Sequence, residues 1–149
     1  LEFSERKPDF LSKQGILTST QEYLMKTITI SQPWASLIAQ GIKCVENRTW
    51  ATKYRGDLLI HAGKGLQYKH LLGLYYPDTD LLFGGVVAKV EIYDCVPISE
   101  VKLMPFAGGP WCWLFRNAEP LEFIKCSGAQ GLWNFSGRVV KSKHERLVA

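Results

Sequence analysis

The stretch KTITISQPWASLIAQGIKCVENRTW, residues 26–50, decides how this chain is to be read. It opens with alternating Thr and Ile side chains after Met25, the pattern of a half-buried β-strand. Ser31-Gln32-Pro33 then starts a helix: a serine oxygen can receive free backbone amides, and Pro33 suits a first-turn position that needs no amide donor. Trp34, Leu37 and Ile38 repeat at the i, i+3, i+4 spacing of one helical face, and Gly41 supplies a left-handed stop. The order is therefore strand, two-turn helix over about 33–40, tight exit, and a second strand from Cys44 to Trp50.

Upstream of this stretch, Leu1 to Leu24 is polar, mixed in charge and without a sustained period, and reads as an N-terminal extension or an added tail ahead of a domain over residues 25–149. Downstream, Tyr54-Arg55-Gly56-Asp57 turns into a strand from Leu58 to Ala62, expected to pair with the strand at 44–50. Leucines at 66, 71, 72 and 74 predict a short helix between Gly63 and Tyr76. Gly84-Gly85 introduces a long alternating strand from Val86 to Val96, and a helical turn is expected at Ser99 to Met104. Trp111 to Arg116 and Leu121 to Lys125 read as two strands of a hairpin around Asn117-Ala-Glu-Pro120. Five or six short strands with two or three small helices predict an α+β, mainly β fold with a curled, barrel-like sheet, not a doubly wound one.

At 149 residues, 46% hydrophobic and 21% charged, the chain fits one domain with a real core. Its apolar runs, such as Leu81 to Ala88, fall far short of the roughly 18 to 20 residues of a membrane-spanning helix. Cys44, Cys95, Cys112 and Cys126 lie 51, 17 and 14 residues apart, without a C-x-x-C pair or a histidine at zinc spacing, so no metal site is expected. They read as reduced, mostly buried thiols, and with no apolar signal segment the expected location is cytoplasmic. The net charge of +4 is concentrated: Lys43 to Lys69 holds six basic residues against Glu46 and Asp57. With Trp50, Tyr54 and Tyr68 interleaved, this strip has the composition for neutralising phosphates and stacking bases, or is simply a solvated basic face.

The block from Ser31 to Ile38, followed by Gly41-Ile42-Lys43-Cys44-Val45-Glu46-Asn47-Arg48, resembles the ASCH domain family (activating signal cointegrator homology), a branch of the PUA-like superfamily with a G-x-K-x-x-E-x-R signature. Tyr54-Arg55-Gly56, Ile60-His61-Ala62, the strand ending Ile92-Tyr93-Asp94-Cys95, and Gly109-Pro110-Trp111 through Gly131-Leu132-Trp133 extend the resemblance to the longer members that include a transcription coactivator. It covers about Met25 to Phe135. It implies a PUA-like β-barrel with a cleft between barrel and helices, and a role in recognising RNA or another nucleic acid. Fold alone does not fix that role.

Seven residues are candidates for the site. Lys43, just past the helix stop, can anchor a phosphate or, if desolvated, accept a proton. Glu46 and Arg48, two apart on a strand, share a face: they form a structural ion pair, or Glu46 takes a base's exocyclic amine while Arg48 holds a carbonyl or phosphate. Gln32 beside the helix start either meets a base edge or merely neighbours the cap. Trp34 and Trp50 are core residues or stacking platforms, and Arg55 is a phosphate clamp or a solvated turn residue. His61 is expected to be a satisfied, non-catalytic histidine.

The expected function is a binding module for RNA or a nucleotide, including single-stranded nucleic acid, that needs no cofactor. The alternative implied by the family is an enzyme, since some small bacterial members are amidohydrolases of acylated cytidine and others are proposed ribonucleases. An amidohydrolase would use Lys43 as base or nucleophile activator with a carboxylate to shuttle the proton, here Glu46 with Glu91 as a second carboxylate partner. The hydrolases, however, carry a hydroxyl residue where this chain has Glu46, and a carboxylate touching Lys43 is expected to raise its pKa and keep it charged. A third class is a protein-interaction domain of a larger assembly.

Overall fold

The computed structural model describes residues 23–75 and 81–143. In chain order these form β1 (Tyr23–Ile30), α1 (Trp34–Ala39), β2 (Val45–Arg48), β3 (Gly56–Ala62), α2 (Lys69–Tyr75), β4 (Gly85–Pro97), a 3-10 turn at Ile98–Glu100, β5 (Trp111–Lys125) and β6 (Leu132–Gly137). The strands make one six-stranded sheet in the order β2-β5-β4-β3-β1-β6, curled into a half-barrel. The fold is the expected α+β, mainly β, PUA-like one. Strand β1 begins at Tyr23, inside the stretch read as a tail, and residues 1–22 lie outside the described residues, as does the Pro77-Asp78 break after α2.

The parallel pair β3 and β1 lies between β4 and the edge strand β6, and the crossover between the two strands carries α1 and β2. Helix α1 buries Ala35, Leu37, Ile38 and Ala39, and Ile38 joins Ile28, Leu58, Ile60, Val90 and Trp113 in the main core. Strand β3 is buried on both faces, since Leu59 packs in a second core with Met25, Val86, Leu121 and Phe135. A continuous apolar run in a strand is the signature of such two-sided burial.

Two pairings differ from the sequence reading. The strand at 45–48 does not pair with β3: it lies antiparallel to the first half of β5, with Val45 opposite Leu114 and Arg48 opposite Trp111. The crossover carries β2 to the far edge of the sheet, where Val45 packs with Cys112 and Leu114 in a third small core. Nor is there a hairpin at 117–120. Strand β5 runs unbroken alongside β4, with Arg116 opposite Glu91 and Glu119 opposite Lys89, so that 117 and 118 together face Val90. Asn117 takes the left-handed conformation at φ 57°. The Asn and Pro that signal a turn in sequence here make a β-bulge. Strand β6, antiparallel to β1, had no counterpart in the sequence reading.

Candidate ligand-binding cleft

Gly41, at φ 75°, ends α1 in the conformation that glycine adopts without strain, and the amides of Ile42 and Lys43 both close back on the Leu37 carbonyl. This tight exit turns Lys43 inward. Only 4% of Lys43 is exposed, and its Nζ donates to the Val45 carbonyl, stands 3.5 Å from Glu46 Oε1 and lies 5.7 Å from the centre of the Trp34 ring. On β2, Glu46 and Arg48 share a face as their spacing predicts, and Arg48 Nε donates to Glu46 Oε2 at 2.9 Å. A second arm of the guanidinium, Nη2, donates to the Thr29 carbonyl at 2.9 Å and so ties β2 to β1 across the open side of the half-barrel. Two cations thus share one carboxylate, a cluster with one net positive charge.

The cluster lines a cavity of about 510 Å³, within the usual range for small-molecule sites. Trp34, Tyr68 and Phe106 supply its aromatic wall, with Trp34 edge-to-face against Tyr68 at 5.4 Å and against Phe106 at 6.2 Å. Asn47 fixes the far side: its amide donates to the Phe106 carbonyl at 3.0 Å, and its oxygen accepts from the amides of Gly108 and Gly109 at 2.8 and 2.9 Å. Phe106 itself sits at φ 69°, a conformation rare for an aromatic residue and held here by that anchor.

Of the candidate residues, Trp34, Lys43, Glu46 and Arg48 line the cavity, whereas Gln32, Trp50 and Arg55 do not. Gln32 is 1% exposed and its amide is spent on the fold, donating to the Leu82 carbonyl at 2.8 Å and accepting from the Ser36 amide at 3.0 Å. It performs the capping expected of Ser31, because the helix cap is Pro33, which has no side-chain oxygen. Trp50 stacks edge-to-face on Trp113 at 4.8 Å, and Arg55 folds onto the carbonyls of Thr52 and Tyr54 with Asp94 at 3.5 Å. Glu91, the second carboxylate considered for catalysis, pairs with Arg116 at 3.0 Å away from the cavity. Asn47, Tyr68 and Phe106 were missed. Tyr68 stood in the basic aromatic strip, but no signal in the sequence marks Phe106.

His61, 2% exposed, holds the Cys126 carbonyl at 2.8 Å through Nε2, while Nδ1 has no partner among the described residues, so within them it is only half satisfied. Among the described residues, no three His, Cys, Asp or Glu side chains stand together as a metal site, and no helix is long and apolar enough to cross a membrane.

Burial pushes the Lys43 ammonium below its ordinary value, and this outweighs the opposing pull of Glu46, so the direction expected from the carboxylate contact alone is reversed. The sign for stability follows. Because the unfolded chain binds this proton more tightly, the burial penalty is fully present below the folded pKa and is relieved as pH rises towards the ordinary value of 10.5. Comparing wild type with Lys43→Met in urea unfolding, the difference should move in favour of wild type between neutrality and about pH 10. A difference that stayed constant, or moved the other way, would contradict the assignment.

The ASCH domain family matches residues 28–125 of the chain. The chain is 54% identical over 140 residues to activating signal cointegrator 1 of Homo sapiens, covering 81% of this chain and 24% of that protein. It is 54% identical over 88 residues to the Mus musculus protein of the same name, covering 50% of this chain and 15% of that one. The chain thus spans about a quarter of the length of the human relative. Among solved structures, ASCH from Zymomonas mobilis aligns at a TM-score of 0.46 and 14% identity, over 68% of this chain and 73% of that one. A mutant of the same protein aligns at 0.48 and 15% identity, with the same coverage.

Proposed function

The chain belongs to the ASCH domain family, and we propose that within it this domain is an RNA- or nucleotide-binding module. The observation that carries the reading is the cluster of Lys43, Glu46 and Arg48, which places one net positive charge in a cavity walled by Trp34, Tyr68 and Phe106. A base can pack against the rings while its phosphate meets Arg48 and Lys43. Glu46 is engaged by both cations, and its role in this reading is to hold them, not to accept a base amine. The four free cysteines support a reducing, cytoplasmic site of action.

The test is a fluorescence-anisotropy titration of short single-stranded RNA over a salt series. Affinity should be weak and should fall with a logarithmic slope of about −0.7 for each phosphate neutralised, hence about −0.7 for the one phosphate held in the cleft. An affinity unchanged between low and moderate salt would sink the proposal.

One observation favours the enzyme alternative: a lysine with a depressed pKa is better suited to take a proton. Against it stand Glu46 at the hydroxyl position of the hydrolase branch and the placement of Glu91 outside the cavity. Deacetylation of N4-acetylcytidine is therefore expected to stay near background. Robust turnover abolished by Lys43→Ala would replace binding by hydrolysis as the function of the cleft.

A further inference from the structure

The cleft lies at the end of the sheet where β1 and β3 finish together. These strands are parallel with Ile30 beside Ala62, so Ser31 after β1 and the loop from Gly63 after β3 leave from neighbouring points, joined by the Gly63 amide on the Ile30 carbonyl at 2.9 Å. Both segments line the cavity, one through Ser31 and the other through Gln67 and Tyr68. The other polar side chains of the cavity already hold partners within the fold. Lys43, Glu46, Asn47 and Arg48 are engaged as described, and Thr29 Oγ1 accepts from Trp133 Nε1 at 3.1 Å. The Ser31 hydroxyl and the Gln67 carboxamide, by contrast, have no hydrogen-bond partner among the described residues. These two groups lie together above Gly65, where a Cβ would stand 2.5 Å from the carboxamide oxygen and 4.0 Å from the Ser31 oxygen. A glycine at 65 thus leaves the space that the carboxamide occupies. Tyr68, next in the chain, carries the ring that meets Trp34 edge-to-face.

We infer that Gln67, with Ser31, reads the Watson–Crick edge of the base that packs against Trp34 and Tyr68, so that the cleft takes an unpaired base. The inference deepens the nucleotide reading of the cleft and rests on it. A carboxamide sets an acceptor beside a donor. Uracil presents N3–H beside a carbonyl, whereas cytosine and adenine present a ring nitrogen beside an amine, and a carboxamide meets either arrangement by turning over. The contact therefore tolerates different bases but not an occupied edge, and a base-pairing partner occupies it. Free edges of this kind belong to single strands, loops and ends. The base-edge role expected of Gln32 passes to Gln67, because the Gln32 amide is spent on Leu82 and Ser36.

Calorimetric titration with uridine 5′-monophosphate and with its N3-methyl derivative tests this contact, since the methyl group blocks the edge and leaves the ring face and the phosphate in place. Wild type should bind the unmethylated nucleotide about tenfold more tightly, the scale of two ordinary hydrogen bonds. Gln67→Met, at an exposed position and of similar length, should weaken the unmethylated nucleotide about fivefold and bring the two ligands to within about twofold of each other. Ser31→Ala should weaken the unmethylated nucleotide by about twofold. Equal or reversed affinities in wild type, or a preference that survives Gln67→Met undiminished, overturn the edge contact while leaving the cleft reading intact. Binding of neither nucleotide overturns both.

Discussion

Glu46→Ala is expected to lower the unfolding free energy by about 3–5 kcal/mol, because it removes the one carboxylate that two cations share while leaving Lys43 buried. The ceiling follows from titration: Lys43 can escape by releasing its proton, which from an ordinary value of 10.5 to neutrality costs about 5 kcal/mol at 1.36 kcal/mol per pH unit. The deficit should therefore shrink as pH rises. Lys43→Met should be far milder, since it removes a desolvated charge and leaves Glu46 paired with Arg48. Urea denaturation of the two variants tests the asymmetry. Equal losses, or a loss below about 1 kcal/mol for Glu46→Ala, would mean that the cluster is a weak surface network.

Arg48→Ala is expected to weaken RNA binding about thirty-fold or more, the equivalent of the 2 kcal/mol or more that follows loss of one partner of a desolvated, hydrogen-bonded charge pair. Arg48 carries most of the charge available to a ligand, because the Lys43 ammonium is already occupied by Val45 and Glu46. The folding cost should be about 2–3 kcal/mol, for the bonds to the Glu46 carboxylate and the Thr29 carbonyl, with Glu46 left paired to Lys43. Arg55→Ala, outside the cavity and bonded to its own turn, should weaken binding by roughly threefold or less. Anisotropy titrations of both variants at one salt concentration check the ranking. Equal effects would place the RNA on the basic surface and not in the cleft.

The difference between these arginines was not legible in the sequence, although both lie in the same basic strip. Local spacing did carry much: α1 from the Trp34, Leu37, Ile38 period, its stop at Gly41, and the shared face of Glu46 and Arg48 are consequences of residues within four positions of one another. What local spacing could not carry is where a strand goes after a crossover. Strand β2 pairs with β5, more than sixty residues away, and the Asn117 turn signal became a bulge because the long β4 template held β5 in place on both sides of it. The same limit applies at the cleft. Gln32 looked free for a ligand because its partner Leu82 is fifty residues away, and Phe106 was invisible because the contacts that place it, with Asn47 and Trp34, are both more than fifty residues away. The pKa of Lys43 failed in sign for a related reason: the opposing carboxylate is visible three residues on, whereas burial is a property of the whole fold.

The most direct measurement is a crystal structure of the protein soaked with uridine 5′-monophosphate. The expected density places the base against Trp34, walled by Tyr68 and Phe106, with the phosphate within hydrogen-bonding distance of Arg48 and the Lys43–Glu46 contact intact. A nucleotide bound elsewhere on the basic surface with this cleft empty, or one whose phosphate points away from Arg48, would contradict the assignment of the cleft as the binding site.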